Sequence, residues 1–202
     1  MKEINKIFYK ILLILIIFSA NAESKVIFEG KPEAKVIVKV FSSLTCPSCA
    51  NWHSKIFYQM KEDFIDKGLV RFEHHPFPLD LAALNAEIIL RCHVDNKKRL
   101  GLLNKIYEKQ SAWAVGSDIN TINDSIKKVG SEIGLNNEEM NSCLKNEKTQ
   151  DEILTQRINA QKKYKVKSTP TIIINEKKYE GKVEYSKFKK EIEKNFKKYG
   201  LF

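Results

Sequence analysis

Val36-Ile-Val-Lys-Val-Phe41, running through Ser42-Ser-Leu-Thr45 into Cys46-Pro-Ser-Cys49, is the stretch on which the fold turns. Its first six residues are rich in β-branched side chains and almost continuously apolar, which predicts a strand covered on both faces. From there Cys49, His53, Ile56, Met60 and Phe64 recur at spacings of four, three, four and four, the stripe of an amphipathic helix. Gly68 stops that helix, and residues 69–73 read as the next strand. The result is a βαβ unit with two cysteines at its first strand–helix junction.

That position carries chemistry. Unpaired backbone N–H groups and the helix dipole favour an anion at a helix N-terminus. A thiolate on Cys46 is therefore stabilised, and such cysteines titrate at roughly 3.5–7.5. Pro47 fits the first helical turn, where the N–H it lacks has no intrahelical partner. Cys49 lies one turn further in, facing the core. Cys46 then exchanges with an incoming sulfur and Cys49 resolves the mixed disulfide, with Pro47 and Ser48 tuning the pair. Zinc is the competing reading, because Cys46-x₂-Cys49-x₃-His53 supplies three soft ligands. A structural site takes four, usually as a second pair at similar spacing, and the chain has no other C-x-x-C or H-x₃-H. His53 is read as a half-buried core histidine, and no metal or cofactor is expected.

Beyond the βαβ unit the pattern is helical from about 80 to 165. Leu81, Leu84, Ile88 and Cys92 make one stripe, and Ile119, Ile122, Ile126 and Val129 another. Met140, Cys143 and Leu144 mark a short helix, and Ile153, Leu154 and Ile158 a last one. Strands resume at 171–174, with a polar turn at 175–177 and a hairpin partner at 178–182. Tyr185, Phe188, Ile192, Phe196 and Tyr199 close the chain at helical spacing. Pro170 opens the late strand, a position where a strand tolerates proline, and Thr169-Pro170 is a realistic place for a cis peptide. The expected order is β–β–α–β, a helical insertion, then β–β–α, with a short edge strand at 25–28 first.

The N-terminus reads as an export signal. Lys2, Lys6 and Lys10 precede an apolar run over 11–18, and Ala20-Asn-Ala22 supplies a signal peptidase site. The run is short for a membrane span, which takes about 20 apolar residues. Cleavage after Ala22 is expected, with an uncleaved anchor as the alternative. The net charge of +10 raises nucleic-acid binding. However, the basic residues are overwhelmingly lysine, with only Arg71, Arg91, Arg99 and Arg157, whereas phosphate recognition recruits the bidentate fork of arginine. No nucleic-acid partner is expected. In an oxidising compartment, Cys92 and Cys143 favour a bridge over two reduced core thiols. Neither opens a helix, so the pair is read as a structural disulfide. His74 and His75 are read as surface histidines at a strand end that could tune charge near the site. Trp52 and Phe57 are read as groove liners or partial core, and Trp113 as core.

The junction cysteines combined with Ser168-Thr-Pro-Thr171 resemble the thioredoxin superfamily, and within it the DsbA family of bacterial periplasmic oxidases. Gly30-Lys-Pro-Glu-Ala34, Phe77-Pro-Leu79 and Gly181 are similar too. The resemblance spans roughly residues 25–200. It implies a thioredoxin fold, with a mixed central sheet flanked by helices, over 23–79 and 166–202, interrupted by a helical domain over 80–165. It also implies a cis Thr169-Pro170 bond lying against Cys46 and offering hydrogen bonds to an extended peptide. The implied substrates are newly exported proteins with free thiols, the implied re-oxidant is a membrane partner of the DsbB type, and the implied state is a monomer. Two positions depart from the family. Ser48 stands where many relatives carry His, and Lys39-Val40 stands near where many carry a buried Glu. Both bear on the strength of the oxidant, and the missing imidazole at Ser48 predicts a milder one. A disulfide isomerase or reductase of the same fold is the runner-up, and a non-catalytic thioredoxin-fold binding or zinc module the third reading.

Overall fold

The computed structural model describes residues 26–181 and 184–200. The leader at 1–22, Lys25 of the expected edge strand and Lys182 of the expected hairpin lie outside the described residues. Five strands form one sheet in the order β1–β3–β2–β4–β5: β1 (Ile27–Glu29), β2 (Val36–Ser42), β3 (Val70–Pro76), β4 (Thr171–Ile174) and β5 (Lys177–Lys178). β2 and β3 run parallel, and the other three pairs are antiparallel. The sheet is mixed, as expected.

The β-branched run of β2 is covered on both sides because strand side chains alternate in direction. Val36, Val38 and Val40 enter the main core with Trp52, Ile56, Phe72 and Phe188. Phe41, on the opposite face, packs with Phe77, Ala160, Val166 and Ile173. A β2 residue therefore belongs either to the side of the cysteines or to the far side, and this division governs the site.

Helix α1 covers residues 47–65. Its backbone passes from an α stretch (Pro47–Trp52) through a π-helical stretch (His53–Phe57), a short α stretch (Tyr58–Met60) and a second π stretch (Lys61–Ile65) without a break. Every residue of the expected stripe is buried. The wider π turns bring in more, since Trp52 and Phe57 sit five residues apart and are only 2% and 1% exposed. They are core residues, not groove liners. Gly68, at φ +73, ends the helix in a left-handed conformation that suits glycine.

Between β3 and β4 lie six helices: α2 (Leu81–Leu90), α3 (Asn96–Glu108), α4 (Gln110–Trp113), α5 (Ile119–Ser131), α6 (Asn137–Leu144) and α7 (Glu147–Tyr164). The five longer ones each begin on an Asp or Asn whose side chain accepts a hydrogen bond from the first turn: Asp80, Asp95, Asp118, Asn136 and Asn146. The repeating stripes alone had not separated α3 and α4 from their neighbours. Leu81 is half exposed, not part of the buried α2 stripe. Cys92 falls just past the end of α2, beyond Arg91 at its C-cap. It is joined to Cys143 of α6 by a disulfide with a Cα–Cα distance of 5.8 Å. Helix α8 (Tyr185–Lys198) returns to the sheet through Phe188, Ile192 and Phe196.

The Cys92–Cys143 bond closes a loop across 51 residues of sequence separation. On a chain-entropy basis it stabilises the fold by about 4 kcal/mol. Replacing both cysteines by alanine should lower the thermal melting temperature and leave the reactivity of Cys46 intact. Unchanged melting would show the bond to contribute nothing.

Candidate active site

Cys46 occupies the N-cap of α1, with extended backbone angles (φ −80, ψ 116) and Pro47 immediately inside the helix. Its carbonyl accepts from the N–H groups of Cys49 and Ala50 at 3.0 and 3.2 Å. Its sulfur lies 3.5 Å from the Thr169 carbonyl, which the free thiol can meet as donor. Thr169-Pro170 is a cis peptide. Two segments 123 residues apart in sequence thus meet at one sulfur, because antiparallel pairing sets Phe41 at the end of β2 opposite Thr171 at the start of β4.

The two cysteines have opposite acidities. The Cys46 thiol is brought down to about 5, chiefly by a hydrogen bond from the Cys49 thiol, against the effect of partial burial. Thr169 and the N–H groups of Cys49 and Ser48 add to the lowering. Cys49 is only 2% exposed. Burial pushes its thiol far upward, and the hydrogen bond and charge of Cys46 push it further. The Thr169 hydroxyl is buried and faces both sulfurs, favouring the thiolate of each. Ser48 is exposed and enters through its backbone N–H.

The turn is held from the helical side. The Gln110 amide in α4 donates to the carbonyls of Leu44 at 2.7 Å and Cys46 at 3.1 Å. Thr45 Oγ1 donates to Asp80 at 2.7 Å, and Asp80 also caps α2. The backbone N–H of Phe77 closes on the Ser42 carbonyl at 2.8 Å.

His53 is engaged elsewhere. Its Nε2 lies 2.8 Å from Asn104 Oδ1, its ring stacks on Phe57 at 4.4 Å, and burial lowers its pKa to about 4, which leaves it neutral. Among the described residues no cluster of three or more His, Cys, Asp or Glu side chains could hold a metal ion. Trp113 is buried, and its indole N–H donates to the Ile106 carbonyl at 2.8 Å.

One expectation about charged groups needs correction, and one departure from the family finds its place. Lys39 lies on the far face of β2, paired with Glu176 and 3.1 Å from the Tyr164 hydroxyl. The departure at Lys39-Val40 therefore does not put a lysine behind the cysteines. The histidines of β3 are not surface residues. His74 is 1% exposed and His75 is largely buried on the other face, bonded to Glu73 at 3.0 Å. On the side of the cysteines a polar chain passes through the core. The Tyr107 hydroxyl donates to Ser42 Oγ at 2.9 Å, Ser42 Oγ meets His74 Nδ1 at 3.2 Å, and His74 Nε2 meets the carboxylate of Glu87 at 2.6 Å. Glu87 is fully buried and also pairs with Arg91. The sequence held two signals for this chain: His74 continues the inward alternation of Val70 and Phe72, and Glu87 is the one charged residue of α2.

The split in acidity predicts a pH profile. Alkylation of Cys46 in the reduced protein should rise through a midpoint near pH 5 and be flat above about pH 6.5, against about 8.5 for an unperturbed cysteine. The lowered value also means that the thiolate stabilises the reduced fold at high pH, and that this contribution fades as pH falls from about 9 towards 5. A midpoint above pH 8 would remove the basis for assigning the two roles.

Sequence comparison matches residues 22–194 to the family described as thioredoxin. The disulfide bond formation protein D of Bacillus subtilis is 30% identical over 177 residues, covering 83% of this chain and 76% of that protein. A Rickettsia bellii protein with the provisional name of a protein-disulfide oxidoreductase is 27% identical over 146 residues, 72% of this chain and 55% of its own length. The chain spans about half the length of the Rickettsia relatives it matches. Among solved structures, alpha-DsbA1 of Wolbachia pipientis superimposes with a TM-score of 0.78 at 23% identity, covering 86% of this chain and 92% of that one. Oxidised BdbD of Bacillus subtilis gives 0.70 at 27% identity, covering 85% and 93%. With a family match over most of its length and a relative among the disulfide bond formation proteins, the chain belongs to the thioredoxin family of disulfide oxidoreductases.

Proposed function

We propose that this chain is an exported thiol–disulfide oxidoreductase working as a dithiol oxidase. Oxidised Cys46–Cys49 takes two electrons and leaves a disulfide in a substrate protein. The thiolate of one substrate cysteine attacks Cys46, Cys49 departs, and the second substrate thiolate releases Cys46. The observation that carries this reading is the acidity of Cys46, brought to about 5 beside a buried, protonated Cys49. A thiolate exists only in the reduced protein, so whatever stabilises it favours the reduced form and makes the disulfide an oxidant. The name of the Bacillus subtilis relative, disulfide bond formation protein D, supports the same direction.

In this reading residues 1–22 are a signal peptide, residues 23–79 and 166–202 the thioredoxin-like domain, and 80–165 the inserted helical domain. The protein works in the periplasm as a monomer. Newly exported proteins with free thiols lie extended beside Thr169 and Pro170, and a DsbB-type membrane partner re-oxidises Cys46 and Cys49. Cys92–Cys143 is structural, and Pro47 and Ser48 tune the pair. Among the described residues no helix is long and apolar enough to cross a membrane.

Equilibration of the mature protein in glutathione buffers tests the direction. The Cys46–Cys49 couple should settle between roughly −200 and −120 mV, well above the roughly −270 mV of thioredoxin. A value near thioredoxin's would overturn the oxidase in favour of a reductase. Strong activity on scrambled disulfides would favour the isomerase.

A further inference from the structure

Every exchange at this site moves a proton on or off Cys49, a thiol that is buried and that burial keeps protonated. Water does not reach it readily, so the protein must supply the acceptor. Thr169 and the Ser43 N–H face the sulfur, but neither accepts a proton. Lys39 and Glu73 are on the far side of the sheet, with Lys39 tied to Glu176, and Glu73 to Arg71 and His75.

We propose that the buried chain Tyr107–Ser42–His74–Glu87 is the proton relay of Cys49, with His74 as the terminal base. The proposal rests on the oxidoreductase reading and adds to it the group that ionises the resolving cysteine. Its geometry is continuous: Tyr107 to Ser42 at 2.9 Å, Ser42 to His74 at 3.2 Å, and His74 to Glu87 at 2.6 Å. All four residues are buried, Tyr107 at 6% exposed, Ser42 at 2%, His74 at 1% and Glu87 at 0%. The cysteine end is Tyr107, which is buried in the same core cluster as Cys49 and whose hydroxyl feels the charges of both Cys49 and Cys46.

The direction of the hydrogen bonds suits the task. The Tyr107 hydroxyl donates to Ser42. A carboxylate can only accept, so Glu87 fixes the His74 hydrogen on Nε2 and leaves Nδ1 to accept from Ser42. Each donor therefore points away from Cys49 and toward a vacant nitrogen. When Cys49 attacks a mixed disulfide at Cys46, its proton passes to Tyr107, that of Tyr107 to Ser42, and that of Ser42 to His74 Nδ1. The Cys49 sulfur bonds to Cys46, the Cys46–partner bond breaks, and the partner leaves with the electron pair as a thiolate. The imidazolium formed is held by Glu87, itself held by Arg91. The other titratable groups near the chain are His53, whose ring lies 4.9 Å from that of Tyr107, and His75, beyond the sheet. In the reverse exchange, when Cys49 departs, the same chain returns the proton.

The test uses the reduced protein and excess dithiobis(nitrobenzoate), read by the coloured thiolate it releases. Attack by Cys46 releases the first equivalent, and resolution by Cys49 the second. Tyr107→Phe and Ser42→Ala should leave the first phase unchanged and slow the second on the order of 100-fold near pH 7, the usual worth of a positioned acid or base. The slowed phase should recover as pH rises to 9, where hydroxide replaces the relay, while the wild-type phase stays nearly level. An unchanged second phase in both variants, or slowing by the same factor at every pH, would overturn the relay while leaving the oxidoreductase standing. A wild-type protein that releases only the first equivalent would overturn both.

Discussion

Negative charge on Cys46 is held by N–H groups of the first turn of α1, by the Cys49 thiol and by Thr169, and these arrive from opposite ends of the chain. No local sequence can assemble such a set. It exists because β2 delivers Cys46 to the end of the sheet and β4 pairs with β2 in a register that sets Phe41 against Thr171. The helices between β3 and β4 then brace the turn from one side, through Gln110 on two carbonyls and Asp80 on Thr45. The sheet sets which groups meet, and the helical segment sets how firmly.

The alternation of β2 divides the ionisable groups into two populations that do not mix. Lys39, Glu73, His75, Tyr164 and Glu176 form a charged cluster on the face away from the cysteines, open enough for Glu176 to be half exposed. Ser42, His74, Tyr107 and Glu87 form a closed chain on the near face. Burial makes the second group consequential. A hydrogen bond in a low-dielectric core is stronger than in water, and an unpaired polar group there is costly. A fully satisfied chain of four side chains fixes its own geometry, whereas the open cluster around Glu176 is screened by solvent.

What the sequence made legible was whatever depends on near neighbours. Strand, cysteine turn and helix stripe follow from spacing, so the place of Cys46 and Cys49 could be read from residues 36 to 64 alone. Thr169-Pro170 was legible only as a likeness to a family, since nothing local in Ser168-Thr-Pro-Thr171 says what it touches. The histidines went wrong for a physical reason. A polar residue at the end of a strand is usually solvated, and only the paired burial of Glu87 on a helix 13 residues away keeps His74 inside. The family likeness marked Lys39 without saying which face it takes, and its pairing with Glu176 and Tyr164 sets it away from the cysteines. The π turns of α1 were also out of reach, and they decide that Trp52 and Phe57 share the core side.

Ser48 is the residue from which the sequence predicts a milder oxidant. Its side chain is exposed, and its contribution to the Cys46 thiolate is a backbone N–H that any residue at that position would offer. Losing an imidazole there removes one stabilising contact and leaves the largest, the hydrogen bond from Cys49, in place. That bond is reciprocal: the interaction that lets Cys46 ionise at about 5 also holds the proton on Cys49. An easier departure for Cys46 is thus coupled to a harder ionisation for Cys49. A pair pushed apart in this way exchanges quickly at its more accessible sulfur and needs help at its buried one. The oxidising tendency of the turn and the need for a proton acceptor behind it have one physical origin.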